Sequence, residues 1–206
     1  MPASKTCYKK NYFIRIFFVV TFLCSGQSML HSQNQRFYTK STLKKSISTQ
    51  KSGMIVLGSW ATLNIFSGSV GYYSSDNSSK YFHQMNTAWN LVNLGIAGFG
   101  YKGASEIDPD LGYGDALYKM QHFENLLLIN SGLDLLYIGS GAWLWNKGIK
   151  TNNDRLTGYG KSVVLQGSFL LLFDISLYLI HRKHTKNLVK WSDQLAFTGN
   201  GFLLSF

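Results

Sequence analysis

Residues 53–73, GMIVLGSWATLNIFSGSVGYY, run the length of a bilayer crossing without Lys, Arg, Asp or Glu, and Lys51 stands just ahead of them. A hydrocarbon layer about 30 Å thick takes roughly 20 residues of helix at 1.5 Å per residue. The same pattern returns at 81–101, YFHQMNTAWNLVNLGIAGFGY, again with no formal charge. A third stretch, Asn125–Trp145, holds one acid, Asp134, and a fourth, Ser162–Ile180, holds Asp174. None alternates apolar and polar residues as a barrel strand does, and unpaired backbone groups cost several kcal/mol in hydrocarbon, so helices are required. Short connections make neighbours antiparallel, and the fold class is all-α: a four-helix antiparallel transmembrane bundle preceded by a signal-like segment. Tyr72, Tyr73, Trp89, Tyr101, Trp143 and Trp145 lie mostly near the span ends, where aromatic side chains favour the membrane boundary.

The 206 residues leave room for one domain. A mean hydropathy of -0.04 looks too polar for a membrane protein, but the Lys- and Ser-rich first quarter and the many Gly, Ser and Asn inside the spans pull it down. Nine of the 20 basic residues lie at or before Lys51 and no acid precedes Asp76, so much of the net charge of +10 belongs to the N-terminal part. Basic charge beside a membrane segment points to anionic headgroups or to orientation during insertion. No nucleic-acid partner is expected, because the cations are neither interleaved with aromatics along a helix nor part of a reading motif.

The chain divides into 1–26, a signal peptide; 27–52, a basic polar lead-in; 53–181, the transmembrane domain; and 182–206, a basic segment with an interfacial tail. The first segment has a basic stretch (Lys5, Lys9, Lys10, Arg15), an apolar core from Ile16 to Leu23 and small residues at Ser25 and Gly26, after which cleavage is expected. Cleavage would remove Cys7 and Cys24, and with them thiol chemistry. The lead-in reads as flexible or partly helical. The tail from Trp191 reads as lying along the interface or packing back on the bundle. Two orientation rules compete: Lys and Arg counting keeps the lead-in and Arg182, Lys183, Lys186 and Lys190 in the cytoplasm, whereas a cleaved signal exports the lead-in.

The combination of Trp-Ala-x-x-Asn from Trp60, Met-Asn-x-x-Trp-Asn-x-x-Asn from Met85 and Gln-Gly-x-Phe-Leu-Leu-x-Phe-Asp from Gln166 resembles an uncharacterised family of small four-span bacterial membrane proteins, a domain of unknown function, over about residues 50–181. The resemblance implies a fold and a compartment, the bacterial inner membrane. It implies no activity and no functional residues.

Chemistry, if present, belongs to the polar residues of the spans. His83, Asn86, Asn90 and Asn93 are spaced by three, four and three, which places them on one helical face. Asn64, Asn130, Asp134, Gln166 and Asp174 complete a candidate polar seam through the bundle. For neutral amides, hydrogen bonding between helices is sufficient reason, at about 0.6 to 2 kcal/mol each. The two aspartates are harder to explain, since a mid-membrane carboxylate costs about 2.5 to 3.5 kcal/mol on insertion scales and marks ion paths and proton relays. A metal site from His122, Glu124, His181 and His184 is disfavoured, because only His181 and His184 have helical ligand spacing and two cations stand between them. There is no phosphate loop, nucleophile elbow or His-Glu-x-x-His. No catalytic, cofactor or metal residues are therefore assigned. The expected partners are the lipid bilayer and either a second copy or another membrane protein. The favoured role is structural or accessory, and the alternative is a small transporter or ion- or proton-conducting protein using Asp134 and Asp174.

Overall fold

The computed structural model describes the backbone of residues 7–199 and the side chains of residues 33–192. The expected cleavage point after Gly26, Cys7, Cys24 and the end of the C-terminal tail lie outside the described side chains. Four helices follow one another: α1 (Cys7–Ser74), α2 (Asn77–Ser105), α3 (Tyr113–Lys150) and α4 (Asp154–Gly199), with no strand among the described residues. The turns after α1 and α3 place Asn77 (φ 52°) and Asn152 (φ 47°) in the left-handed region, which Asn enters more readily than other side-chain-bearing residues. Asn153 then caps α4 by accepting the amide of Leu156 at 3.0 Å.

The helices alternate in direction as two hairpins, α1–α2 and α3–α4, and α4 packs against all three others. α2 and α3 meet through the Trp89 and Tyr137 rings, edge to face at 4.9 Å. Close approach is set by glycines: Gly71 takes the His83 ring of α2, and Gly160 lies against the Trp145 backbone of α3.

Apolar and polar residues are distributed inside out. Phe66, Phe99, Leu136 and Leu172 are 72%, 81%, 68% and 69% exposed, whereas Asn86, Asn90, Asp134, Gln166 and Asp174 are buried. Apolar surface on this scale is unfavourable in water and neutral in hydrocarbon. Among the described residues, three segments are long and apolar enough to cross a membrane: Gln33–Ser74, Tyr113–Lys150 and Asp154–Ser192. α2 has the length, but Asn86, Asn90 and Asn93 interrupt its apolar stretch.

Two belts of cations stacked on aromatic rings bound the apolar surface. At one end are Lys51 over Tyr101 and Arg182 over Tyr178. At the other are Lys80 over Tyr72, Lys147 over Trp143, Arg155 over Tyr159 and Lys161 over Trp145. Along α1 the belts are about 20 residues apart, roughly 30 Å of helix, which matches a hydrocarbon layer.

The lead-in and the C-terminal segment are both helical where they are described. Residues 33–52 are a regular continuation of α1, and α4 continues past Trp191, which stacks on Tyr38 at 4.3 Å. Leu43, Ala116, Met120 and Leu188 form a core there with Tyr38, Ile47 and Leu117 around it. α1, α3 and α4 thus extend beyond the Lys51 belt as a three-helix stalk, because the stripe that packs α1 between the belts continues backwards through Gln50, Ser46, Leu43 and Thr39.

Candidate functional site: a polar interior in layers

The buried faces of the helices carry amides, carboxyls and hydroxyls where a soluble bundle carries Leu and Val. They fall into three layers.

The first joins α1, α2 and α4. Asn86 Nδ2 donates to Asn64 Oδ1 at 3.0 Å, Asn90 Nδ2 donates to the Asn86 carbonyl at 2.8 Å, and Asn93 Nδ2 donates to Asn90 Oδ1 at 3.4 Å. Gln166 Nε2 donates to Asn86 Oδ1, and Gln166 Oε1 accepts Trp60 Nε1 at 3.1 Å. The Trp60 ring lies flat on Phe169, centroids 3.8 Å apart. Asn90 and Gln166 are fully buried, so each amide takes its partners from other side chains and from backbone.

The second layer lies between α3 and α4. Asp134 and Asp174 are 3% and 5% exposed, and their carboxyls are in hydrogen-bonding reach of each other. Asp134 Oδ2 has no donor among the described residues. Two carboxylates offer acceptors alone, so the pair lacks a donor unless one of the two is protonated. Asp174 stands one helical turn inside Tyr178, within the belts.

An apolar plug of Met54, Leu127 and Leu177, flanked by Phe123, Phe173 and Tyr178, separates the acids from the third layer. That layer lies just outside the Lys51 belt. His181 Nε2 is 2.6 Å from Ser46 Oγ and 3.3 Å from Gln50 Nε2, while His181 Nδ1 is 3.2 Å from Glu124 Oε1. Thr185 Oγ1 donates to the same carboxylate oxygen at 2.5 Å. The donors and acceptors balance when Nδ1 carries the proton and Nε2 accepts. Hydroxyl, imidazole and carboxylate stand in the order of a hydrolytic triad. Ser46 is 0% exposed and lies mid-helix, where neighbouring amides are spent on intrahelical bonds. Burial closes Ser46 to a substrate carbonyl, and the cluster joins α1, α3 and α4 by hydrogen bonds.

His184, one turn on, bonds Thr49 Oγ1 at 3.1 Å. Burial holds its pKa below the ordinary value, and Lys45 and Lys183 nearby lower it further.

Of the expected seam residues, Asn64, Asn86, Asn90, Asn93 and Gln166 form one network and Asp134 and Asp174 another. His83 shares the helical face of the asparagines but turns to Gly71 of α1, its Nδ1 unpartnered among the described residues. Asn130 is a correction: it is exposed. The buried stripe of α3 follows Met120, Glu124, Leu127, Asp134 and Gly141, and a residue three beyond Leu127 falls at its edge. The four residues weighed as metal ligands also part: His122 stacks on Tyr118 in the open, and His184 turns to Thr49.

The third layer was missed as a unit because two of its members, Ser46 and Gln50, sit in a segment too polar to suggest a helix core. The available signal was the spacing of uncharged positions Thr39, Leu43, Ser46, Gln50 and Gly53 by three or four.

No curated protein and no solved structure matches the chain. Residues 56–175 match a family of unknown function, DUF6992, and the match contains the amide network and both aspartates while stopping short of Ser46 and His181. With more than half of its length covered, the chain belongs to that family.

Proposed function

We propose that the chain is a four-span protein of a bacterial inner membrane, with residues 1–26 as its export signal and α2 as the fourth span, in a structural or accessory role. It acts in assembly with a second copy or another membrane protein. The observation that carries this is the closed amide network of Asn64, Asn86, Asn90, Asn93 and Gln166, whose polar groups are turned on one another. Such a network fixes helix register and leaves no polar lining for a solute. The belts at both ends of α2, Lys80 with Tyr72 and Lys51 with Tyr101, support its crossing.

A second reading, proton or cation handling, is favoured by the unpartnered oxygen of Asp134 beside Asp174. One experiment separates the two. Purified protein is reconstituted in sealed vesicles under a pH or potassium gradient, and flux is read with an entrapped dye. The structural reading expects wild-type flux equal to that of empty vesicles. Flux abolished by Asp134→Asn or Asp174→Asn in folded protein would overturn it in favour of the second.

A further inference from the structure

The outer surface between α1 and α4 carries a groove of about 370 Å³ that crosses the Lys51 belt. Its lining changes with depth. Ser48, Thr49 and Ser52 present hydroxyls at headgroup level, and Val56, Phe173 and Leu177 line the part inside the hydrocarbon. Gly53 and Ser176 keep the floor low. Thr49 is held by His184, and Lys45 and Lys183 lie close enough to that imidazole to bias its titration. No carboxylate lines the groove. The groove between α3 and α4 on the same side differs here, since Glu124 lines it beside Arg182 and Lys186.

We propose that the α1–α4 groove is a binding site for one anionic glycerophospholipid, with its phosphate between Lys45, Lys183 and the Ser48, Thr49 and Ser52 hydroxyls and an acyl chain against Val56, Phe173 and Leu177. The charge selects an anionic headgroup, and hydroxyl donors suit phosphate oxygens. The apolar lower half excludes a free phosphate ion as the natural occupant, because an ion leaves that half unfilled. The site rests on the membrane-spanning reading, which recovery of the protein from the membrane fraction tests separately.

The test is native mass spectrometry of the full chain released from detergent after titration with phosphatidylglycerol, phosphatidylcholine or inorganic phosphate. The first phosphatidylglycerol adduct is expected at a concentration several-fold below that for phosphatidylcholine, with no competition from inorganic phosphate. Lys45→Gln with Lys183→Gln, both exposed, should weaken phosphatidylglycerol binding by roughly fivefold per cation removed and leave phosphatidylcholine unchanged. Ser52→Leu, on the exposed rim, should weaken both lipids, and Lys150→Gln at the opposite end should change neither. Equal binding of the two lipids by the wild type, a preference that survives the double lysine variant, or displacement by inorganic phosphate would overturn the proposal.

Discussion

Gln166 Nε2 on α4 donates to Asn86 Oδ1 on α2, and Asn86 in turn donates to Asn64 on α1, so one asparagine ties three helices together. An amide suits this place because it gives and accepts without charge. Its removal strands two partners at once in a medium without water to replace them.

Asn86→Leu and Gln166→Leu should each lower stability in detergent by about 1 to 3 kcal/mol. The double variant should cost less than the sum, because the orphaned partner is removed as well. Unfolding in detergent mixtures of rising denaturing strength, run as a double-mutant cycle, measures the coupling.

Asp134→Asn should fold and be at least as stable as the wild type, since the new amide hydrogen supplies Asp174 with the donor that the acid pair lacks. Asp134→Leu should be less stable than Asp134→Asn, because it isolates Asp174. Thermal melting of the three proteins in one detergent gives the order.

Gly160 and Gly139 should respond oppositely to side chains. Gly160 lies on the Trp145 backbone, which cannot step aside, so Gly160→Val should cost at least about 1 to 3 kcal/mol and open the α3–α4 hairpin. Gly139 faces open space, so Gly139→Ala should be neutral or stabilising by up to about 1 kcal/mol through helix propensity. Disulfide trapping between cysteines placed across the hairpin reports the separation.

The protein should lose stability as pH falls through about 6.5, the ordinary value for His184, because the unfolded chain takes up the proton before the folded one does. Above that pH this imidazole is neutral in both states and its own contribution no longer changes. His184→Gln should make the loss of stability below pH 6.5 shallower, with the buried His181 supplying the remainder, as measured by melting temperature across a buffer series.

Ser46 should resist fluorophosphonate labelling in folded protein, in keeping with its burial. Glu124→Ala should destabilise by about 1 to 3 kcal/mol by leaving His181 Nδ1 without an acceptor. Glu124→Gln keeps an oxygen for Nδ1 and should cost less. Labelling of Ser46 in native protein would contradict the packing role.

The helical class and the faces of α2 were legible because charge-free runs of membrane length and three- and four-residue spacings are local signals. Asn86, Asn90 and Asn93 could be placed on one face from their numbers alone. The meeting of Asp134 with Asp174 was not legible, since it depends on the register of α3 against α4, which glycines such as Gly141 and Gly167 set through close contact. Asn130 was misplaced for a related reason: both Asn130 and Asp134 satisfy a four-residue rule, and packing against α4 decides which of them faces in. The stalk was hidden because its core alternates Leu43 and Leu188 with Ser46, Thr39 and Gln50. A hydropathy reading takes that mixture for a solvated linker.

α2 ends at Ser105, while α1, α3 and α4 continue outward, and the 106–112 loop runs along the stalk, tied to α1 by Lys40 and Asp110 at 2.5 Å. The far side closes in two turns of two or three residues. The two ends of the bundle are therefore unlike: one carries a protruding post of three helices, the other is almost flush. Soluble reagents, whether antibodies or proteases, should find far more to grip at the stalk end than at the other.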